Sequence, residues 1–311
     1  MRQTQEQPSN RYVLGDWGTS RLRLMLMDGD TVADRRDGPG IGVLTNTPAD
    51  TLTDLIAPWT RDRPLDVLLS GMAGSRNGLF EVPYMRLPVD VTGWSEATVS
   101  RPMCGANITI AAGLRTGDQP GAADVMRGEE TQIFGALRIE PRLATGNHLF
   151  VLPGTHSKWA VVENGSIVRF RTAMSGELYA VLRDHSILFK ASNQAGHASD
   201  VEIGFDAGSQ RLLQSEGLLA DIFGTRVAQL LENRSAEWGR GYLSALLIGH
   251  EIASLSVTYG RTANSVHIVG DPALTASYAR LFAARGTPAQ VLDGTPCSLA
   301  GLRYLRECMS T

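Results

Sequence analysis

Cysteine is scarce: Cys104, Cys297 and Cys308 are the only three in 311 residues, an odd number without C-x-x-C spacing, so neither a disulfide framework nor a zinc site is indicated. Aromatic residues are few, at 6%. An excess of one charge is lacking too, since 29 Lys and Arg against 32 Asp and Glu leave a formal −3, which argues against a basic nucleic-acid binder. With 43% hydrophobic and 20% charged residues the composition is globular and excludes a wholly disordered or fibrous chain. No apolar run is long enough for a membrane span, because the best stretch, 242–255, is broken by Gly249, His250 and Glu251. The start, MRQTQEQPSNRY, has no apolar export-signal core, and a reducing cytoplasm is the expected setting. G-x-x-x-x-G-K-[ST], G-x-S-x-G and H-E-x-x-H are also missing, which sets aside a P-loop, a hydrolase nucleophile elbow and a zinc hydrolase.

Glycine is abundant, at 33 residues, as tight turns or close backbone approaches to a ligand require. The length exceeds the roughly 250–300 residues at which one hydrophobic core stops growing. Two lobes with a cleft between them are therefore expected.

Residues 1–11 read as a disordered tail. Strands are expected at 12–15 and 22–27, flanking the polar turn Asp16-Trp17-Gly18-Thr19-Ser20, with a third at 31–36. A helix over 48–59 opened by Thr47 and a short buried strand at 67–69 follow, then strand 108–114 and helix 126–137. The second half repeats the opening: strand 148–152, polar turn Gly154-Thr155-His156-Ser157-Lys158, strand 159–163 and strand 166–171. Two related lobes are the economical reading. Leu178, Val181, Leu182, His185, Leu188 and Phe189 form a helical stripe, and a broken helical region spans 206–255. His185 and His250 read as packed side chains rather than ligands. Strand 266–269 precedes a helix opened by Asp271 as N-cap and Pro272 at its first position, reaching about 284, and a final helix covers 298–307.

In the first turn, backbone N–H groups at Gly18 and the Thr19 and Ser20 hydroxyls can face phosphate oxygens while Asp16 holds a hydrated divalent cation. The plainer alternative is a simple hairpin. Recurrence of a polar hairpin at Gly154, Thr155 and Lys158 favours the phosphate reading, a solvated Lys158 being its alternative. Gly270 and Asp271 after a buried strand offer helix N–H groups to a nucleotide.

G-D-W-G-T-S, P-G-T-H-S-K-W and the late G-D-P-A-L-T resemble the phosphate-1, phosphate-2 and adenosine segments of the actin, hexokinase and heat-shock chaperone ATPase superfamily. More narrowly, S-G-M-A-G-S-R-N-G-L-F-E-V-P-Y (70–84), D-V-M-R-G-E-E-T-Q-I-F-G-A-L (124–137) and L-P-G-T-H-S-K-W (152–159) resemble the 2-keto-3-deoxygalactonokinase family, over about 12–305. The resemblance implies an α/β fold of two actin-like (ribonuclease H-like) lobes with an inter-lobe nucleotide cleft: 12–143 for the sugar acid, 144–295 for the nucleotide, and a terminal helix, 296–311, packing back on the first lobe. It implies ATP-dependent phosphorylation of 2-dehydro-3-deoxy-D-galactonate at its 6-hydroxyl, with Mg²⁺ on Asp16. Small-molecule partners alone are expected, without nucleic acid or membrane, and a homodimer stays open. A related kinase for another sugar or sugar acid, or a non-catalytic nucleotide-binding regulator, are the alternatives. The second hairpin departs from the acidic or Gly-Thr-Gly pattern common in the wider superfamily, so Lys158 is expected to neutralise phosphates.

Phosphoryl transfer needs a group to orient or deprotonate the acceptor hydroxyl. Glu129 or Glu130, where related sugar kinases place an acid, are the candidates, with Asp124 as competitor and a plain helix-dipole role as the alternative. For the substrate carboxylate Arg76, Arg86 and Arg127 are available, Arg127 first, with Gly74, Ser75, Asn77 and Tyr84 beside the sugar acid.

Overall fold

The computed structural model describes residues 11–117, 123–190, 196–260 and 263–310. The expected tail therefore lies outside the described residues except for Arg11, which already belongs to a strand. The chain divides into two units, Met1–Gly146 with Glu163–Arg169 and Gly294–Thr311, and Asn147–Val162 with Phe170–Asp293.

The first unit is built from β1 (Arg11–Trp17), β2 (Arg21–Asp28), β3 (Thr31–Pro39), α1 (Pro48–Thr60), β4 (Asp66–Gly71), β5 (Met85–Arg86) and α2 (Val91–Glu96). Then come β6 (Val99–Met103), β7 (Ala106–Ile110), β8 (Leu114–Arg115), β9 (Val125–Met126) and α3 (Glu129–Ile139). Its main sheet runs β3-β2-β1-β4-β7-β6, with β1 antiparallel to β2 but parallel to β4, and β4 parallel to β7. Leu22, Leu24 and Leu26 alternate inward on β2 and pack with Val67, Leu69 and Ile108, each worth about 1.5–3 kcal/mol when withdrawn from water. Gly15 is needed here for packing, since a methyl there would sit 2.5 Å from Leu69.

The second unit holds β10 (Asn147–Leu152), β11 (Ser157–Glu163), β12 (Ser166–Ala173), α4 (Ser175–His185), α5 (Ala198–Arg211), α6 (Leu218–Asp221), α7 (Gly224–Leu231) and α8 (Ala236–Tyr259). It ends with β13 (Ser265–Gly270), α9 (Pro272–Ala284) and β14 (Ala289–Asp293). Its sheet runs β12-β11-β10-β13-β14, with β10, β13 and β14 parallel. Three strands joined by short turns followed by parallel additions on the first strand's far side is the order found in the first unit as well. Each unit is thus an actin-like α/β element. The last helix, α10 (Gly294–Met309), groups with the first unit and crosses α3 so closely that a methyl on Gly135 would run into the Cys297 carbonyl.

Several boundaries differ from the sequence reading. The helix expected over 126–137 starts only at Glu129, because Gly128 takes a left-handed φ of 112° and Met126 belongs to a strand. The strand expected over 108–114 ends at Ile110. No residue of α4 is buried, and the apolar stripe is interrupted: Leu188 and Phe189 form a separate turn capped by Ser186, while Val181 and His185 face solvent. His250 is packed as expected, with Nε2 3.0 Å from the Asp221 carboxylate. Among the described residues no helix is long and apolar enough to cross a membrane.

Candidate active site

Parallel pairing places Asp16 beside Ser70 and Trp17 beside Gly71, at the C-terminal ends of β1 and β4. Gly71 adopts φ 79°, and its missing Cβ would lie 2.6 Å from the Trp17 carbonyl and 3.4 Å from Asp16 Oδ1. Gly128 abuts the same place, a methyl there falling 3.3 Å from Gly71 Cα. The two glycines therefore allow the start of α3 to meet the ends of β1 and β4. Asp16 accepts a hydrogen bond from Ser298 Oγ at 3.3 Å and faces Arg23 Nη1 at 3.8 Å. Burial pushes its carboxyl above the usual range, Arg23 and Ser298 pull it back in part, and the neighbouring Glu129 adds to the rise.

The two glutamates of α3 have different environments. Glu129 is half-buried and accepts the Arg127 backbone N–H at 3.1 Å. Glu130 is fully buried, and both its oxygens accept the Gly128 N–H, at 2.7 and 2.8 Å. Burial, reinforced by Glu129, pushes Glu130 up to about 8. Below that value it is mostly protonated, and a protonated carboxyl is a poor proton acceptor. Asp124 directly precedes β9, and its Oδ1 accepts the Val125 N–H at 2.8 Å.

Of the three arginines considered for a carboxylate, Arg76 is exposed and pairs with Glu81 at 3.3 Å, and Arg86 is exposed. Arg127 is buried. Its Nη2 donates to the Val82 carbonyl at 2.6 Å and its guanidinium lies 4.3 Å from the centre of the Tyr84 ring. Gly74 makes room for it, since a methyl would approach Nη1 to 2.7 Å. Arg127 Nε and Nη1, and the hydroxyls of Ser70, Ser75 and Thr131, are buried without a hydrogen-bond partner. Buried donors of this kind cost about 1–3 kcal/mol each and mark where an acceptor is missing. Asn77 is exposed on the following turn.

The tip of the first hairpin is held by the segment after β3: Ile41 N–H donates to the Gly18 carbonyl at 3.1 Å and Gly42 N–H to that of Thr19 at 2.8 Å. Gly18 N–H is spent on Arg21 O at 2.9 Å, while Thr19 and Ser20 are exposed.

In the second unit Gly154 and Thr155 lie at the hairpin tip, and the Gly154 position has open space around it. Lys158 is not solvated: its side chain is buried and Nζ donates to the His156 carbonyl at 3.2 Å. Glu177 N–H donates to Thr155 O at 2.8 Å, and His156 Nε2 contacts the Glu177 carboxylate. Pro153 O is 3.5 Å from where a Gly270 methyl would be, so hairpin and β13–α9 turn are neighbours at one end of the sheet. Asp271 caps α9, its Oδ1 accepting Ala273 N–H at 3.0 Å.

Comparison with known proteins bears on what this arrangement does. The family model for 2-keto-3-deoxy-galactonokinase matches residues 16–305. The chain belongs to this kinase family. It is 32% identical over 302 residues to the 2-dehydro-3-deoxygalactonokinase of Escherichia coli K12, covering 96% of this chain and 99% of that one. A crystal structure of "a putative 2-dehydro-3-deoxygalactonokinase protein" from Sinorhizobium meliloti superposes with a TM-score of 0.81 at 30% identity, covering 96% of this chain and 99% of the other.

Ser298, Arg23 and the Gly71–Gly128 contact escaped the sequence reading. Ser298 reaches Asp16 across 282 positions of chain, a contact no local pattern announces. Gly128 before two acids was a usable signal, because a glycine there permits the turn that aims them.

Proposed function

We propose that the chain is an ATP-dependent kinase that phosphorylates 2-dehydro-3-deoxy-D-galactonate at its 6-hydroxyl, in the breakdown of galactonate or galactose. The observation that carries this reading is the family match over 16–305, joined by 32% identity to the Escherichia coli enzyme along nearly the whole chain. ATP and cytoplasmic residence follow from the reading, and Cys104, Cys297 and Cys308 form no disulfide, in keeping with a reducing compartment.

Glu129 is the base in this reading. It is the α3 glutamate that keeps a face to solvent, and its carboxylate takes the proton of the acceptor hydroxyl. Glu130, neutral and locked on Gly128, fixes the start of α3 instead. Arg127 receives the substrate carboxylate on its unpartnered Nε and Nη1, with the Ser75 hydroxyl, Gly74, Tyr84 and Asn77 around the sugar acid. Thr19, Ser20, Gly154, Thr155 and Lys158 hold phosphates, and the turn at Gly270 and Asp271 takes the nucleoside. Asp16 suits Mg²⁺, which keeps several waters and takes one or two carboxylates beside phosphates. No group of three metal-ligating acids, histidines or cysteines occurs among the described residues, and the donor set is of this sparse kind. Bound there, Mg²⁺ offsets phosphate charge.

An ADP-release assay across 2-dehydro-3-deoxygalactonate, its gluconate epimer and neutral hexoses tests the assignment. The galactonate derivative is expected to have the highest kcat/KM. Turnover of neutral hexoses alone would overturn the substrate choice, and nucleotide binding without turnover of any acceptor would overturn the kinase itself.

A further inference from the structure

Behind the second hairpin lies a buried polar cluster to which the proposed chemistry assigns no role. Glu251, on α8 and 6% exposed, accepts the Trp159 indole N–H on Oε1 at 2.7 Å and the Tyr278 hydroxyl on Oε2 at 2.8 Å. Ser175, first residue of α4, is a third donor to the same carboxyl. Ser157 Oγ lies 2.9 Å from Tyr278 Oη and is itself hydrogen-bonded to the Glu251 carboxyl. Ser157, Tyr278 and Glu251 thus share one hydrogen-bond network.

The three elements donating to this carboxyl carry or adjoin the proposed nucleotide contacts. Trp159 is one residue beyond Lys158 on β11, and Tyr278 lies on the helix that Asp271 caps. Ser175 precedes Gly176, whose missing Cβ would run into the Gly154 carbonyl. An apolar side chain would fill the same space without the cost of burying a carboxyl. What the carboxyl adds is direction, because donors from three elements aimed at two oxygens fix the elements that bear them.

We propose that Glu251 is a positioning residue for nucleotide binding, setting the hairpin at Gly154–Lys158 against the start of α9 through Tyr278 and Ser157. The inference rests on the reading of that hairpin as a phosphate site. It is tested by calorimetric titration of a non-hydrolysable ATP analogue with Mg²⁺ into the full-length protein and its Lys158→Met, Tyr278→Phe, Ser157→Ala and Glu251→Gln variants, with steady-state KM values alongside. Tyr278→Phe is expected to weaken the analogue about fivefold, the equivalent of one hydrogen bond of ~1 kcal/mol. It should raise KM for ATP to match and leave KM for the sugar acid unchanged. Ser157→Ala should reproduce the effect and combine non-additively with Tyr278→Phe, since both residues belong to one hydrogen-bond network; it also keeps the test open if the tyrosine variant does not fold. Glu251→Gln should bind more tightly than Glu251→Leu, because the amide oxygen still accepts from Trp159. If Lys158→Met weakens binding while Tyr278→Phe and Ser157→Ala lower only the melting temperature, the cluster is merely structural and the proposal fails. If Lys158→Met leaves binding unchanged, the phosphate reading of the hairpin fails and the proposal with it.

Discussion

In the first unit the turn after β1 begins with Asp16, and Glu129 and Glu130 stand alongside; in the second the corresponding turn after β10 leads into a buried Lys158. Strand order is shared, yet polar satisfaction differs between the surroundings of Arg127 and those of Glu251. Around Arg127 and Ser70, buried donors are left without partners, whereas around Glu251 each carboxyl oxygen has a donor. An unmet buried donor needs water or a bound molecule to satisfy it, whereas a fully met one is already held in place. In the proposed reading the two sheets have different tasks: the first unit holds reactive and substrate-reading groups, the second a preset cradle.

The difference is broken most severely at α3. Glu129→Gln should cut kcat about a hundredfold or more, general acid–base groups typically being worth ~10²–10⁴. Glu130→Gln should keep most of the turnover. Equal losses in steady-state assays, or near-native rates in both, would remove Glu129 as the base.

A smaller effect is expected at the unmet donors. Arg127→Met should raise KM for the sugar acid about tenfold to a hundredfold, the size of a charge-assisted hydrogen bond of ~1.5–3 kcal/mol. KM for ATP should not follow. A parallel rise in both would show that Arg127 supports the fold around Gly74 rather than a substrate carboxylate.

The mildest test uses pH. Folded Glu130 titrates at about 8 against an ordinary value of 4.5, so between these the folded state holds a proton that the unfolded chain has released. Stability is full below that interval and declines as pH rises through it. Asp16 and Glu251, raised mainly by burial, act in the same direction. Melting followed by circular dichroism should show this decline, and Glu130→Gln should flatten it. An identical slope in the variant would mean that burial is not what retains the proton.

Much of this was legible from residues in order. The two polar turns, Thr47 and Asp271 as helix caps, and the acid pair after Gly128 are local patterns, and local backbone chemistry specifies them. The stripe on α4 misled because periodicity reports a helix and an apolar face, not what covers that face. Lys158 was equally open: its hairpin was plain from sequence, while its burial depends on β11 lying inside a sheet.

Sequence alone determined the duplicated plan, the family and the types of side chain available for phosphate, carboxylate and proton. Tertiary structure alone decided which of two adjacent glutamates keeps its proton, which arginine is left with unmet donors, and which carboxyl ties Ser157 to α9. Those outcomes depend on desolvation and on partners brought together from distant positions, such as Asp16 with Ser298 and Glu251 with Trp159. Both are properties of the packed chain rather than of any neighbourhood along it.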